Sequence, residues 1–218
     1  MKKTVEASAK RPAKALSSEV ATGSRSHRNA NGPRAADRIR ASASELFYRE
    51  GIRAVGVDEV VERAGVTKPS LYRSFASKDD LAAAYMRDYD LDFWEKFENP
   101  GGKSYSDPRE HVLAYIRVLS TRAVREGYRG CGLSNATIEY PARDNPARQV
   151  AEAHKKVFRR RLRELTAGMG ARQPAVLGDA LLLLIEGIYS TGQQSEDGPA
   201  QSAVTVAKLL IDASLAKG

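Results

Sequence analysis

From residue 34 onward, the apolar residues of this chain recur three and four positions apart, and no run alternates apolar with polar. That spacing lays a stripe along one face of an α-helix and leaves no credible half-buried strand. Ile39, Ala43, Leu46 and Phe47 trace a first helix, stopped at Gly51. Val57, Val60, Val61 and Ala64 give a short second helix ending at Gly65. Val66, Leu71 and Phe75 mark a third, with Thr67 placed to cap it and Pro69 in the first turn, where a missing N–H costs nothing. A fourth opens at Ser77, where "SKDD" has the form of a capping box, and runs through Leu81, Tyr85, Tyr89, Phe93, Trp94 and Phe97 to a stop at "NPGG". Further helices are expected over about 109–126, about 131–140, from Pro146 behind an Asn145 cap, about 174–192 and about 199–217. There is no internal repeat. The fold expected is all-α, with about nine helices.

At 218 residues the chain is long enough to bury a substantial core. Its formal net charge of +8 favours an anionic partner, but the charge is uneven. Residues 1–33 carry seven basic side chains against two acidic ones, residues 34–80 nine against eight, and the remainder nineteen against seventeen. The basic, Ala- and Ser-rich stretch 1–33 reads as a disordered arm, either a nucleic-acid-binding tail or a solvated one without a role. A lone cysteine, Cys131, excludes an internal disulfide and fits a reducing cytoplasm. The three histidines do not lie at zinc-ligand spacing, so no metal and no cofactor is expected. The N-terminus lacks the apolar core of a signal peptide. The strongest apolar run, "ALLLLIEGIY", is bounded by Asp179 and broken by Glu186, which makes it look too short to span a bilayer. The expectation is a cytoplasmic protein with no membrane partner.

The chemistry concentrates in the third predicted helix. From Arg63 to Lys78 there are four cations and no acid, while Leu71 and Phe75 have the spacing of an anchor. Two short helices joined by "AGV", with Gly65 free to take a positive φ, form a helix-turn-helix whose second helix would enter the DNA major groove. Residues 36–81 resemble the N-terminal domain of the TetR family of bacterial transcriptional regulators, through "ELFYREG", "VDEVVERAGV", "LYRSF" and "SKDDL". The later stretch "YRGCGLSNATIEYPARDNPARQV" is similar to one C-terminal subtype of that family, so the likeness runs from residue 34 to about 215.

The resemblance implies a helix-turn-helix DNA-binding domain over 34–80, then a larger helical effector-binding and dimerisation domain over 81–218. It implies three partners: a double-stranded DNA operator, a small-molecule effector, and a second copy of the chain. It also implies DNA-facing roles for Lys68, Pro69 and Ser70 at the helix start, a phosphate-reaching hydroxyl on Tyr72, and a phosphate-binding Lys78. Arg73 has the fork geometry for a guanine edge or a phosphate. Thr67 either touches a phosphate or only caps the helix, and Tyr72 has a core aromatic as its alternative. Gly56 departs from the Ser or Thr usual at that cap, which removes one possible phosphate contact.

In the C-terminal half, Tyr89, Phe93, Trp94, Cys131, Asn135 and His154 are candidates to line an effector pocket. Cys131 reads more readily as a small buried hydrophobe than as a sensor, and His154, four residues from both Val150 and Phe158, more readily as a hydrogen-bonded structural histidine than as a ligand contact. The cluster "KKVFRRRLR" reads as a solvated helix face rather than a second nucleic-acid patch. Leu177, Leu181, Leu184 and Ile188, with Val204, Ala207 and Ile211, form apolar ladders expected to build a four-helix dimer interface. The reading is a ligand-responsive repressor and not an enzyme. An architectural DNA-binding protein without an effector, or a helical enzyme using Cys131, are the alternatives.

Overall fold

The computed structural model describes residues 34–192 and 198–215, so the basic arm expected over 1–33 lies outside the described residues. Among these residues the chain is entirely helical. The helices are α1 (Ala35–Glu50), α2 (Val57–Ala64), α3 (Lys68–Ser74), α4 (Lys78–Glu98), α5 (Pro108–Ala123), α6 (Gly132–Glu139), α7 (Pro146–Gly168), α8 (Pro174–Thr191) and α9 (Ala203–Leu215). Short 3-10 turns occupy Pro100–Gly102 and Pro199–Ser202. The expected helices are all present, with two boundaries displaced. α5 stops at Ala123 because Val124 turns to ψ 4°, ahead of Gly127 at φ 74°. The first turn of the last predicted helix is 3-10 rather than α.

Local chemistry sets these boundaries. Gly65 sits at φ 61°, which lets Val66 N–H reach back to Val61 O at 3.0 Å and closes α2 with a left-handed cap. Ser77 Oγ accepts from Asp80 N–H at 3.0 Å and donates to Asp80 Oδ2 at 2.8 Å, a variant of the predicted capping box. Asn145 Oδ1 accepts from the N–H groups of Ala147 and Arg148 at the start of α7.

A single buried cluster runs from Ile39 to Ile211. α1, α2 and α3 close around Ile39, Leu46, Phe47, Val60 and Leu71, all at most 4 % exposed. α4 is shared. It packs on α1 at one end, while further along its length Phe93 and Phe97 meet Phe158 of α7 and Tyr115 of α5 edge to face. α7 and α8 approach closely because residue 178 is glycine: a Cβ there would lie 3.0 Å from the backbone of Arg163.

The expectation that α8 is too short for a membrane needs correction. Over its 18 residues the mean hydropathy is 1.3, enough by length and composition to cross one. Its two acids are nevertheless engaged within the chain. Asp179 accepts from Arg159 and Arg163 at 2.6–3.0 Å, which holds its carboxyl well below the usual range, and Glu186 accepts from Ser134 and pairs with Lys155.

Most of the predicted dimer ladder is taken up by the chain's own core. Leu177, Leu181, Ile188, Ala207 and Ile211 are at most 4 % exposed within the chain itself, because α8 and α9 need an apolar face for their own subunit before offering one to another. Leu184 and Val204 are partly buried against that core. The exposed apolar side chains on the same helices are Val176 (62 %), Leu183 (74 %), Val206 (38 %) and Leu209 (65 %).

Candidate nucleic-acid interface and effector cavity

Leu71 is fully buried and Phe75 partly so, and between them they turn the other face of α3 outward. Thr67, Lys68, Pro69, Tyr72, Arg73 and Ser74 are exposed, Tyr72 by 50 %, which removes the core-aromatic alternative for that residue. Thr67 occupies the cap position, yet its hydroxyl lies 3.1 Å from Ser70 Oγ and makes no bond to the helix backbone. Arg73 donates from Nη2 to Ser70 Oγ at 2.7 Å, so the guanidinium lies back along α3 towards its N-terminus. Polar side chains thus bond one another across a helix start that carries no acid.

The surroundings of the cations are less bare than the sequence suggests. Lys68 Nζ lies 2.7 Å from Asp58 of α2, and this hydrogen bond raises its pKa. Arg63 is paired with Glu45 of α1. Lys78, at the start of α4, donates to the carbonyl of Arg53 at 3.4 Å, and partial burial lowers its pKa. Among the described residues Arg73 and Lys78 form no ion pair, although Asp79 and Glu139 lie near enough to act on the charge of Lys78, while Lys68 must exchange Asp58 for any new anion.

The residues proposed for the effector pocket do not gather in one place. Tyr89 and Phe93 border a narrow cavity of about 20 Å³ that also touches Tyr115, Leu119, Arg122, Tyr128 and Tyr189. Cys131 is 2 % exposed at the start of α6, beneath Tyr85 and Tyr89. Trp94 and His154 instead pack around Phe93 and Phe158 in an aromatic cluster. His154 is buried, with Nδ1 2.6 Å from Asp90; desolvation lowers its pKa, and its Nε2 is buried without a partner among the described residues. Asn135 faces a different cleft, shared with Phe47, Tyr48 and Arg53, and donates to Arg129 O at 2.8 Å.

Two further sets of residues have no sequence signal. Glu139, at the end of α6, accepts from Arg53 N–H at 2.9 Å, and Tyr48 Oη bridges Gly130 O and Arg129 N–H. Pairs separated by more than eighty positions leave no trace in periodicity. The tyrosines 115, 128 and 189 and Arg122 meet only because α5, α8 and the segment before α6 converge on the cavity. Tyr115 and Tyr189 share a hydrogen bond of 2.6 Å between hydroxyls, whereas Tyr128 Oη is buried without a partner.

Residues 39–85 match the family described as bacterial regulatory proteins, tetR family. Over 46 residues the chain is 48 % identical to the HTH-type transcriptional activator FasR of Mycolicibacterium smegmatis, covering 21 % of each protein. It is 28 % identical to the transcriptional regulator AcuR of Cereibacter sphaeroides over 58 % of each. Both alignments span less than two thirds of those relatives' length. A solved structure of a TetR-family transcriptional regulator from Streptomyces coelicolor is similar over 84 % of this chain and 96 % of that one, with 29 % identity and a TM-score of 0.77.

Proposed function

The chain belongs to the TetR family of bacterial regulatory proteins, and from that premise we propose that it is a sequence-specific DNA-binding repressor of transcription, released from its operator by a small-molecule effector. The observation that carries this reading is α3: a short helix seated by Leu71, exposing Lys68, Pro69, Tyr72 and Arg73, with Ser70 half-buried beside them and no acid among them. In this reading Arg73, Lys68 and Ser70 face base edges, while Tyr72, Lys78 and Thr67 hold the backbone. The DNA-binding domain covers 34–80 and the effector and dimerisation domain 81–218. The protein works as a cytoplasmic homodimer. Two recognition helices then require a pseudo-palindromic operator with half-sites about one helical turn, roughly 34–36 Å, apart.

We assign it no catalytic activity. Cys131, the candidate nucleophile, is 2 % exposed and sits beneath tyrosines. Effector action follows linkage: a ligand that prefers the conformation unsuited to DNA weakens DNA binding, and DNA weakens the ligand by the same factor.

Selecting bound fragments from random DNA with the full chain tests this directly. A two-fold symmetric motif should emerge, and a reporter driven through that motif should be silenced when the protein is present. Enrichment without any motif would favour an architectural DNA-binding protein, and a rise in reporter output would make it an activator.

A further inference from the structure

Resting on that ligand-responsive reading, we propose that the effector is a small organic anion, a carboxylate carried on a flat aromatic body, with its charge held by Arg122. Three spaces meet at the same two side chains. The narrow cavity beside Tyr89 and Phe93, a cleft of about 460 Å³ towards α1, and another of about 360 Å³ bordered by Asn99 and Arg125 all include Lys96 and Arg122. The junction is therefore both the throat of the cavity and the point that solvent reaches from either side.

The charges at that junction do not cancel. Lys96 is paired with Asp92, and the nearby Glu45 is occupied by Arg63 and Arg49. The guanidinium of Arg122, partly buried, meets no carboxylate among the described residues, and neither does that of Arg125. A guanidinium held at a cavity mouth without a partner presents a planar fork that matches a carboxylate in a bidentate pair. A cationic ligand would be repelled there, and a neutral one would leave the fork unpaired.

Beyond Arg122 the walls are rings. Tyr89, Phe93, Tyr115 and Tyr189 border the cavity, and flat bodies pack against such faces with little loss of freedom. Among the lining side chains the buried hydroxyl of Tyr128 has no partner, which leaves a hydrogen-bonding position for a polar substituent. In the present conformation the cavity, at about 20 Å³, holds one water at most, so entry must part Tyr89 from its neighbours.

The test is calorimetric titration of the full chain with three matched sets: benzoate, 4-hydroxycinnamate and 2-naphthoate, their methyl esters, and the matching primary alkylamines, benzylamine, 4-hydroxycinnamylamine and 2-naphthylmethylamine, which are cationic at neutral pH. The acids should bind, the esters about tenfold or more weakly, and the amines not at all, since a hydrogen-bonded charge commonly accounts for that much. Arg122→Ala should bring the acids down to the level of the esters while the melting temperature without ligand stays unchanged. Should that variant fail to fold, Arg122→Gln serves in its place. The proposal is overturned if esters or amines bind as well as acids, if no acid binds, or if the preference survives loss of the guanidinium. Operator binding, measured in parallel, separates this from the parent reading. Acids that bind through Arg122 and leave operator affinity unchanged would uphold the anion site and sink ligand-controlled release. An ester or amine that releases the operator would do the reverse.

Discussion

Single side chains on α3 divide into those that can read a sequence and those that can only hold the helix against the backbone. Arg73 rests on Ser70, pairs with no carboxylate among the described residues, and has the reach of a base reader. Lys68 is tied to Asp58, so moving it onto DNA costs an ion pair, although an exposed pair is worth at most about 1 kcal/mol. Arg73→Ala should therefore cost about 1–3 kcal/mol at one operator position and little at the others. Tyr72→Phe and Lys78→Ala should weaken all operators in similar proportion. Leu71→Ala differs in kind, because removing a fully buried leucine typically costs about 2–5 kcal/mol and should lower the melting temperature. Measuring each variant against single-base operator mutants decides the matter. Uniform loss in Arg73→Ala would make Arg73 a phosphate clamp and pass the reading role to Lys68 and Ser70.

At the level of elements, helices were legible wherever capping residues and apolar spacing agreed, as at Gly65, Ser77 and Asn145. The face of a helix that meets a partner was not. α8 is apolar nearly all round, and periodicity cannot divide such a surface between the subunit's own core and a second copy. Only the packing against α7 and α9 shows that Leu181 looks inward and Leu183 outward. The effector candidates divide for a related reason: Trp94 shares α4 with the cavity residues Tyr89 and Phe93 but falls on the aromatic cluster, beside His154 of α7. The exposed row Val176, Leu183, Val206 and Leu209 now replaces the predicted ladder as the proposed dimer seam. Leu183→Glu should yield folded monomers by light scattering, with helical circular dichroism intact. Leu181→Glu should lose the fold instead, since it buries an unpaired charge. A stable Leu183→Glu dimer would move the seam elsewhere.

Across the whole molecule, α6 joins α4 in touching both ends. Its first residue, Gly132, lies under the cavity tyrosines, where an added Cβ would come within 2.9 Å of Tyr89 and 3.0 Å of the Tyr85 hydroxyl. Its last, Glu139, grips Arg53 N–H in the loop that leads into α2, and the carbonyl of Arg53 receives Lys78. A ligand that displaces Tyr89 would thus push on a two-turn helix whose far end holds the loop before α2 and, through Arg53, Lys78, the proposed phosphate contact. Gly132→Ala imitates that push without any ligand, because its methyl must shift either the rings or α6. It should weaken operator binding by about fivefold or more, in line with typical couplings of about 1–3 kcal/mol. If the push travels through Glu139, then adding Glu139→Ala should shrink the effect of Gly132→Ala, so the two free-energy changes fail to add. Additive losses in this cycle, measured by operator titration on all four proteins, would rule out the route through Arg53 and leave α4, which also spans both regions, to carry the signal.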